Sequence, residues 1–295
     1  MSGLVVVTSA GFGSLLALLL LLAVAFAAGA VGAALGTGGG LFLVPALVLL
    51  FDVDIHLAIA ASLVSVIATS SASASFGVES GLTNVRLAMF LETGTAIGGL
   101  AGAIIAVTVL ATHSNVLAFV FVPVVLLAAV LMASSRDRDI DPNPPPDPWA
   151  RRLRLEGEYI GPATGIRRSY RVTNSRLGLV FAGLAGIASG LLGIGGGIFK
   201  VPAMNGAMNV PLRVASATST FMIGVTAAAG ALVYLFAGDV VLALVAPVVL
   251  AVFAGTIIGR RYGHTAPVSR LKLLFIAVLV VAAFLMVARG VGALP

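Results

Sequence analysis

The 295-residue chain contains no cysteine, one tryptophan, two lysines and only 9% charged residues. Without cysteine there are no disulfides, no thiol nucleophile and no Cys-rich metal site. So little charge cannot coat a water-soluble globule, because soluble domains carry about 25% charged residues. The hydrophobic fraction is 60% and the mean hydropathy +1.14, so a soluble fold, a disordered chain and a small stapled scaffold are all excluded. The lipid bilayer is the solvent that suits this surface. Enzyme signatures are missing as well: there is no Gly-x-Ser-x-Gly elbow, P-loop, His-Glu-x-x-His or dinucleotide-binding glycine pattern. His56, His113 and His264 are far apart and show no ligand spacing. The chain therefore reads as a protein without a metal or cofactor and without enzymatic activity.

The net charge of +6 does not point to nucleic acid. Nine of the 17 cations lie in one polar insert, 134–176, and Arg260, Arg261, Arg270 and Lys272 flank one short loop. That clustering is the positive-inside asymmetry of a multi-pass protein of the cell membrane. The apolar run near the start lacks a basic leader and is long for a cleaved signal, so it reads as a retained helix.

Polar and Gly/Pro breaks divide the rest into 12–35, 40–51, 57–77, 86–111 and 115–133, then 177–193, 197–209, 214–237, 239–259 and 270–288. Long unbroken apolar runs fit helices and not the alternation of a membrane barrel. The insert opens polar and proline-rich, as a solvated tether does. Its later part, Leu153 to Val172, has the composition of a small hairpin, but the tether is the favoured reading. The expected organisation is a first repeat over 1–133, a cytoplasmic linker over 134–176 and a second repeat over 177–295.

A shift of 157 superposes the halves without a gap. Gly36-Thr37-Gly38-Gly39-Gly40 through Pro45 falls on Gly193-Ile194-Gly195-Gly196-Gly197 through Pro202, and Ser62, Thr69, Gly98 and Gly102 fall on Ser219, Thr226, Gly255 and Gly259. Such a register is the mark of duplication. Five segments per half is an odd number, so the second half enters the membrane upside down and both termini come out extracytoplasmic. The predicted fold is an all-α integral membrane protein of two inverted five-segment repeats, with discontinuous or re-entrant helices at the glycine motifs.

Each glycine cluster interrupts an apolar stretch and starts a short helix. Glycine lets the backbone turn tightly and lets a guest approach. The helix start carries unpaired N–H groups and about half a positive charge, for which an anion is the natural partner. Gly38, Gly39, Gly40, Gly195, Gly196 and Gly197 are thus candidate substrate-binding residues; the alternative is that they only permit close helix packing. Lys200 lies in an apolar helix three residues past the second cluster, where its repeat mate is Leu43. A lysine at a helix centre costs about 2.5–3.5 kcal/mol on insertion scales. It is either a fixed charge for an anion or a lysine reaching the interface. Ser62, Ser65 and Thr69 share one helix face, and Ser216, Ser219 and Thr226 another. Ser62 and Ser219 are the hydroxyls placed to replace a shed hydration shell, although such groups also bond helix to helix. Asn205 and Asn209 either line the cytoplasmic mouth or cap the helix end, with Asn209 the better cap. Glu92 is a carboxylate inside the fourth segment, suited to proton relay or cation binding, or else to an interfacial position near Arg86. His56 and Arg213 are repeat mates at the entrance to the third segments that could attract anions at the two mouths, with ordinary flanking residues the favoured reading.

The doubled Gly-rich motif with its proline, the split apolar halves and the polar central insert resemble the sulfite exporter TauE/SafE family of membrane permeases. The resemblance covers nearly all of the chain outside 134–176. It implies export of a small sulfur-containing anion, sulfite or an organosulfonate, across the cytoplasmic membrane. On the residues, the expectation is a secondary transporter working by alternating access, with H+ or Na+ as the coupling ion and the bilayer and a small anion as its partners. An anion channel on the same scaffold, or a membrane scaffold subunit that does not transport, are the alternatives. No nucleic-acid partner is expected, and the sequence assigns no oligomeric state.

Overall fold

A computed structural model of the chain describes residues 15–35, 39–110, 114–134, 141, 144–145, 147–160, 167–262, 276–277 and 279–285. Gly36, Thr37 and Gly38, both ends of the chain and most of the predicted 260–272 loop lie outside the described residues. The elements are α1 (Leu15–Leu35), α2 (Gly40–Phe51), α3 (Ile55–Glu79), α4 (Val85–Thr108) and α5 (Ser114–Ser134), then α6 (Pro148–Arg152), β1 (Gly157–Ile160) and β2 (Arg167–Tyr170), then α7 (Ser175–Leu192), α8 (Gly197–Ala207), α9 (Leu212–Ala237) and α10 (Leu242–Tyr262). Residues 279–285 are helical too, within the predicted last segment.

Among the described residues, six helices are long and apolar enough to cross a membrane: those beginning at Leu15, Ile55, Val85, Ser175, Leu212 and Leu242. Large side chains such as Phe236, Leu242, Leu250, Ile97 and Met89 stand exposed on them, 65–87% accessible. Apolar exposure on that scale belongs in lipid. The protein is therefore a largely helical integral membrane protein. With 12 and 11 residues, α2 and α8 reach about 18 and 16 Å at 1.5 Å per residue, short of a hydrocarbon core of about 30 Å.

Close helix crossings hold the bundle together. The main ones pair α4 with α7, α10 with α1, and α3 with α9, and α9 and α10 also pack on α4 and α3 respectively. Small residues set the first two. A methyl on Gly98 or Gly102 of α4 would collide with the carbonyl of Gly183 or Ile187 on α7. A methyl on Gly255 or Gly259 of α10 would collide with that of Phe26 or Ala30 on α1. The shift of 157 converts one set of contacts into the other. Without a hydrophobic drive between helices in lipid, such backbone approach is the main source of association.

The insert differs from the tether reading. Strands β1 and β2 pair antiparallel, Gly157 opposite Tyr170 and Ile160 opposite Arg167. Ala150, Leu155, Tyr170 and Val172 bury against Leu87, Leu91, Met204, Met208 and Val210, which forms a second small core at one end of the bundle. The polar composition hid these few apolar anchors. Asp147 fixes the approach: its carboxylate accepts from the N–H groups of Trp149, Ala150 and Ser175, the last at 2.6 Å. It thus caps α6 and ties it to the start of α7. Partial burial works against its charge, but these N–H bonds outweigh that and hold the carboxyl below its ordinary range.

Candidate functional site

Two glycine turns meet inside the bundle. Gly39 stands at φ 75° before α2, and Gly193, Gly195 and Gly196 stand at φ 71°, 75° and 70° before α8. Any other residue would be strained there. The residues at the two N-caps, Gly39 and Gly196, have no side chain with which to cap their helices. Ser62 of α3 joins the two turns, because its Oγ lies 2.7 Å from the Gly193 carbonyl and 3.2 Å from that of Gly40. Ser219 approaches the Gly197 carbonyl at 3.5 Å in the equivalent place on α9. Both hydroxyl protons face main-chain carbonyls, so these serines shape the turns. Val66 and its repeat mate Ile223 pack on the glycines: a methyl on Gly40 would lie 2.7 Å from Val66 Cγ2, and one on Gly197 would lie 2.5 Å from Ile223 Cδ1.

One turn into α8, Lys200 is buried at 2% exposure. Its ammonium donates to Thr226 Oγ1 on α9 at 2.7 Å. Thr226 Oγ1 in turn lies 2.8 Å from Glu92 Oε1 on α4 and 3.1 Å from Thr95 Oγ1. Three helices from both halves of the sequence thus converge on one hydroxyl. Glu92 Oε2 is buried and has no hydrogen-bond partner among the described residues. Elements of both halves of the sequence supply this centre, but the chemistry is one-sided: the residues that the 157-residue shift pairs with Lys200, Glu92 and Thr95 are Leu43, Val249 and Val252, all apolar.

The arrangement joins Lys200 and Glu92, which were separate candidates in the sequence. Thr95 was not singled out, although it follows Glu92 by one helical turn and shares its face. Ser189 was also missed; its hydroxyl is buried without a partner among the described residues, and its Cβ lies 3.4 Å from where a methyl on Gly196 would sit. Asn205 donates to the Val210 carbonyl at 2.9 Å and so closes the turn from α8 into α9. Asn209, expected as that cap, instead holds the insert, accepting from the Asp141 N–H at 2.9 Å and donating to the Asp141 and Arg171 carbonyls. His56 is buried at the other end of the bundle, and its main-chain N–H donates to the Asp54 carboxylate, which caps α3, at 2.8 Å. Asp239 also lies near it; burial pushes the Asp239 carboxyl up, with His56 working against the shift and Asp54 adding to it.

The sulfite exporter TauE/SafE family model matches residues 21–286, which include both glycine turns and the Lys200–Thr226–Glu92 centre. The chain belongs to the sulfite exporter TauE/SafE family. The TauE/SafE chain is 27% identical over 214 residues to the probable membrane transporter protein YunE of Bacillus subtilis (strain 168), an alignment covering 70% of this chain and 74% of the relative. No solved structure matches it. This TauE/SafE protein is accordingly a multi-pass membrane transporter.

Proposed function

We propose that the protein exports a small sulfur oxyanion, sulfite or an organosulfonate, by alternating access of two oppositely inserted repeats. The observation that carries this reading is the buried Lys200 ammonium, which shares Thr226 with Glu92. A lysine so deep in a membrane bundle needs an anionic counterpart. With no substrate bound, Glu92 supplies it through the hydroxyl. A doubly charged oxyanion can take that place, held by Lys200 and by the helix starts after Gly39 and Gly196, which together offer about +2. Protonation of Glu92 removes the competitor, so H+ is the coupling ion we propose and Glu92 its carrier. Ser62 and Ser219 hold the two glycine turns that form the cradle.

The exchange of contacts between the halves supports the repeat architecture. Helix α4 of the first half embraces α7 of the second as α10 of the second embraces α1 of the first. Rocking of one bundle on the other would then expose the shared centre to each side in turn. The clustering of arginine in the insert supports a cytoplasmic position for it.

Flux of sulfite in liposomes of purified protein tests the proposal. Lys200→Leu, which installs the residue of the other repeat, should abolish saturable flux. Glu92→Gln should retain flux but flatten its pH dependence, because the amide mimics the protonated acid and cannot titrate. Full flux in the Lys200 variant would reject the assignment.

A further inference from the structure

Two adjacent arginines end α10, and they do different things. Arg261 is exposed, as a positive-inside anchor should be. Arg260 turns inward: its Nη1 donates to the Ser73 carbonyl on α3, and its guanidinium lies 5.2 Å from the centre of the Phe76 ring. It borders a narrow crevice between α1, α3, α9 and α10, lined also by Ser70, Ser73, Thr220, Ile223 and Thr256, with about 10 Å³ open to a water-sized guest. That volume admits about one water molecule. The crevice lies at the insert end of the bundle, since α3 runs on from Ser73 to the loop where Asn84 bonds the Leu155 carbonyl and the Tyr170 hydroxyl.

The lining is polar, and among its described residues Arg260 carries the only charge. Ser70 donates to the Thr220 carbonyl at 2.6 Å, Thr220 to that of Ser216 at 2.9 Å and Thr256 to that of Val252 at 2.9 Å. Their protons are committed to the main chain. A guanidinium has five N–H donors and a permanent charge, so Arg260 decides which sign of guest this crevice attracts. At its inner end stands Ile223, the same side chain that packs on Gly195 and Gly197. Ile223 thus touches both the crevice and the glycine turns, with Val66 packed beside it on Gly195. The opposite half has no counterpart: the repeat mate of Arg260 is Ala103, and that of Ser73 is Gly230.

We propose that this crevice is the cytoplasmic vestibule for a small oxyanion, with Arg260 as its receptor and Ile223 as the seal between it and the central site. The proposal rests on the transport reading above, in that the vestibule leads to the Lys200 centre. In the state described the vestibule is too narrow for sulfite, so α10 and α3 must part for the anion to pass, and the Arg260–Ser73 bond is the contact that opens.

The cysteine-free chain provides the test. Ser73→Cys is placed in the full-length protein and labelled from the insert side with membrane-impermeant methanethiosulfonates, one bearing a sulfonate and one a quaternary ammonium. Steering by a single half-buried cation should favour the anionic reagent roughly tenfold. Arg260→Gln should erase that preference and Arg260→Lys should keep it, which separates charge from folding defects. Millimolar methanesulfonate, an oxyanion that does not react with thiosulfonates or disulfides, should slow labelling in the Arg260 background only. Absence of labelling, equal rates for the two reagents, or a preference that survives Arg260→Gln would overturn the proposal. Sulfite flux is measured beside it: if the otherwise unsubstituted protein carries none, the transport reading fails, while the labelling still decides whether the crevice selects anions.

Discussion

Lys200 and Glu92 are joined through a single hydroxyl: Thr226 Oγ1 lies 2.7 Å from the ammonium and 2.8 Å from the carboxylate. The three residues come from α8, α9 and α4, so any movement of these helices against one another changes the separation of the two charges. A buried ion pair bridged in this way is a poor source of stability, because desolvation of both charges opposes their attraction. It is well suited to a site whose partners are exchanged during a working cycle.

Replacing that hydroxyl is the first prediction. Thr226→Val keeps the shape and leaves the ammonium without its acceptor, which costs about 1–3 kcal/mol for a buried polar group deprived of its partner. Thermal unfolding in detergent should show the loss, and sulfite flux should fall at least tenfold. Thr226→Ser restores the oxygen and should restore both. Equal behaviour of the valine and serine variants would show that the hydroxyl does not link the charges.

The crossings of α4 on α7 and α10 on α1 predict paired sensitivity. A methyl on Gly98 meets the Gly183 carbonyl, and one on Gly255 meets that of Phe26. Backbone cannot yield as a flexible side chain can, so each alanine variant should lose about 2–4 kcal/mol of stability. Gly230→Ala, where the nearest atom would be a Leu63 methyl at 3.4 Å, should cost far less. Melting temperatures of the three variants decide the matter, and a tolerant Gly98 with a sensitive Gly255 would contradict the matched packing of the two halves.

Docking of the insert should be acid-labile. The Asp147 carboxyl is held below its ordinary value in the folded protein, so its contribution is complete at neutral pH. Its contribution is lost as pH falls below the ordinary carboxylate range and through the folded value, where protonation removes the acceptor for Ser175, Ala150 and Trp149. Proteolysis of the insert should accelerate in that window. Asp147→Ala should accelerate it already at pH 7, in keeping with the roughly 1 kcal/mol of a lost helix cap, and should remove the acid step.

Much of this protein was legible in one dimension. Scarcity of charge pointed to the bilayer, and the 157-residue register pointed to a duplication, because both are properties of local composition and order. The short helices at Gly40 and Gly197 followed from glycine and proline punctuation, whose backbone effects act within a few residues. Lys200 and Glu92 stood out because charge inside an apolar run is costly wherever it ends up. Their meeting was decided by the tertiary structure alone: Glu92 lies 134 residues from Thr226, and only the packing of α4 on α9 brings them into contact. The same holds for the insert, where a few buried anchors outweigh a polar average, and for Arg260 and Arg261, which are identical in sequence terms. A turn of about 100° along the helix sends one to the crevice and leaves the other exposed.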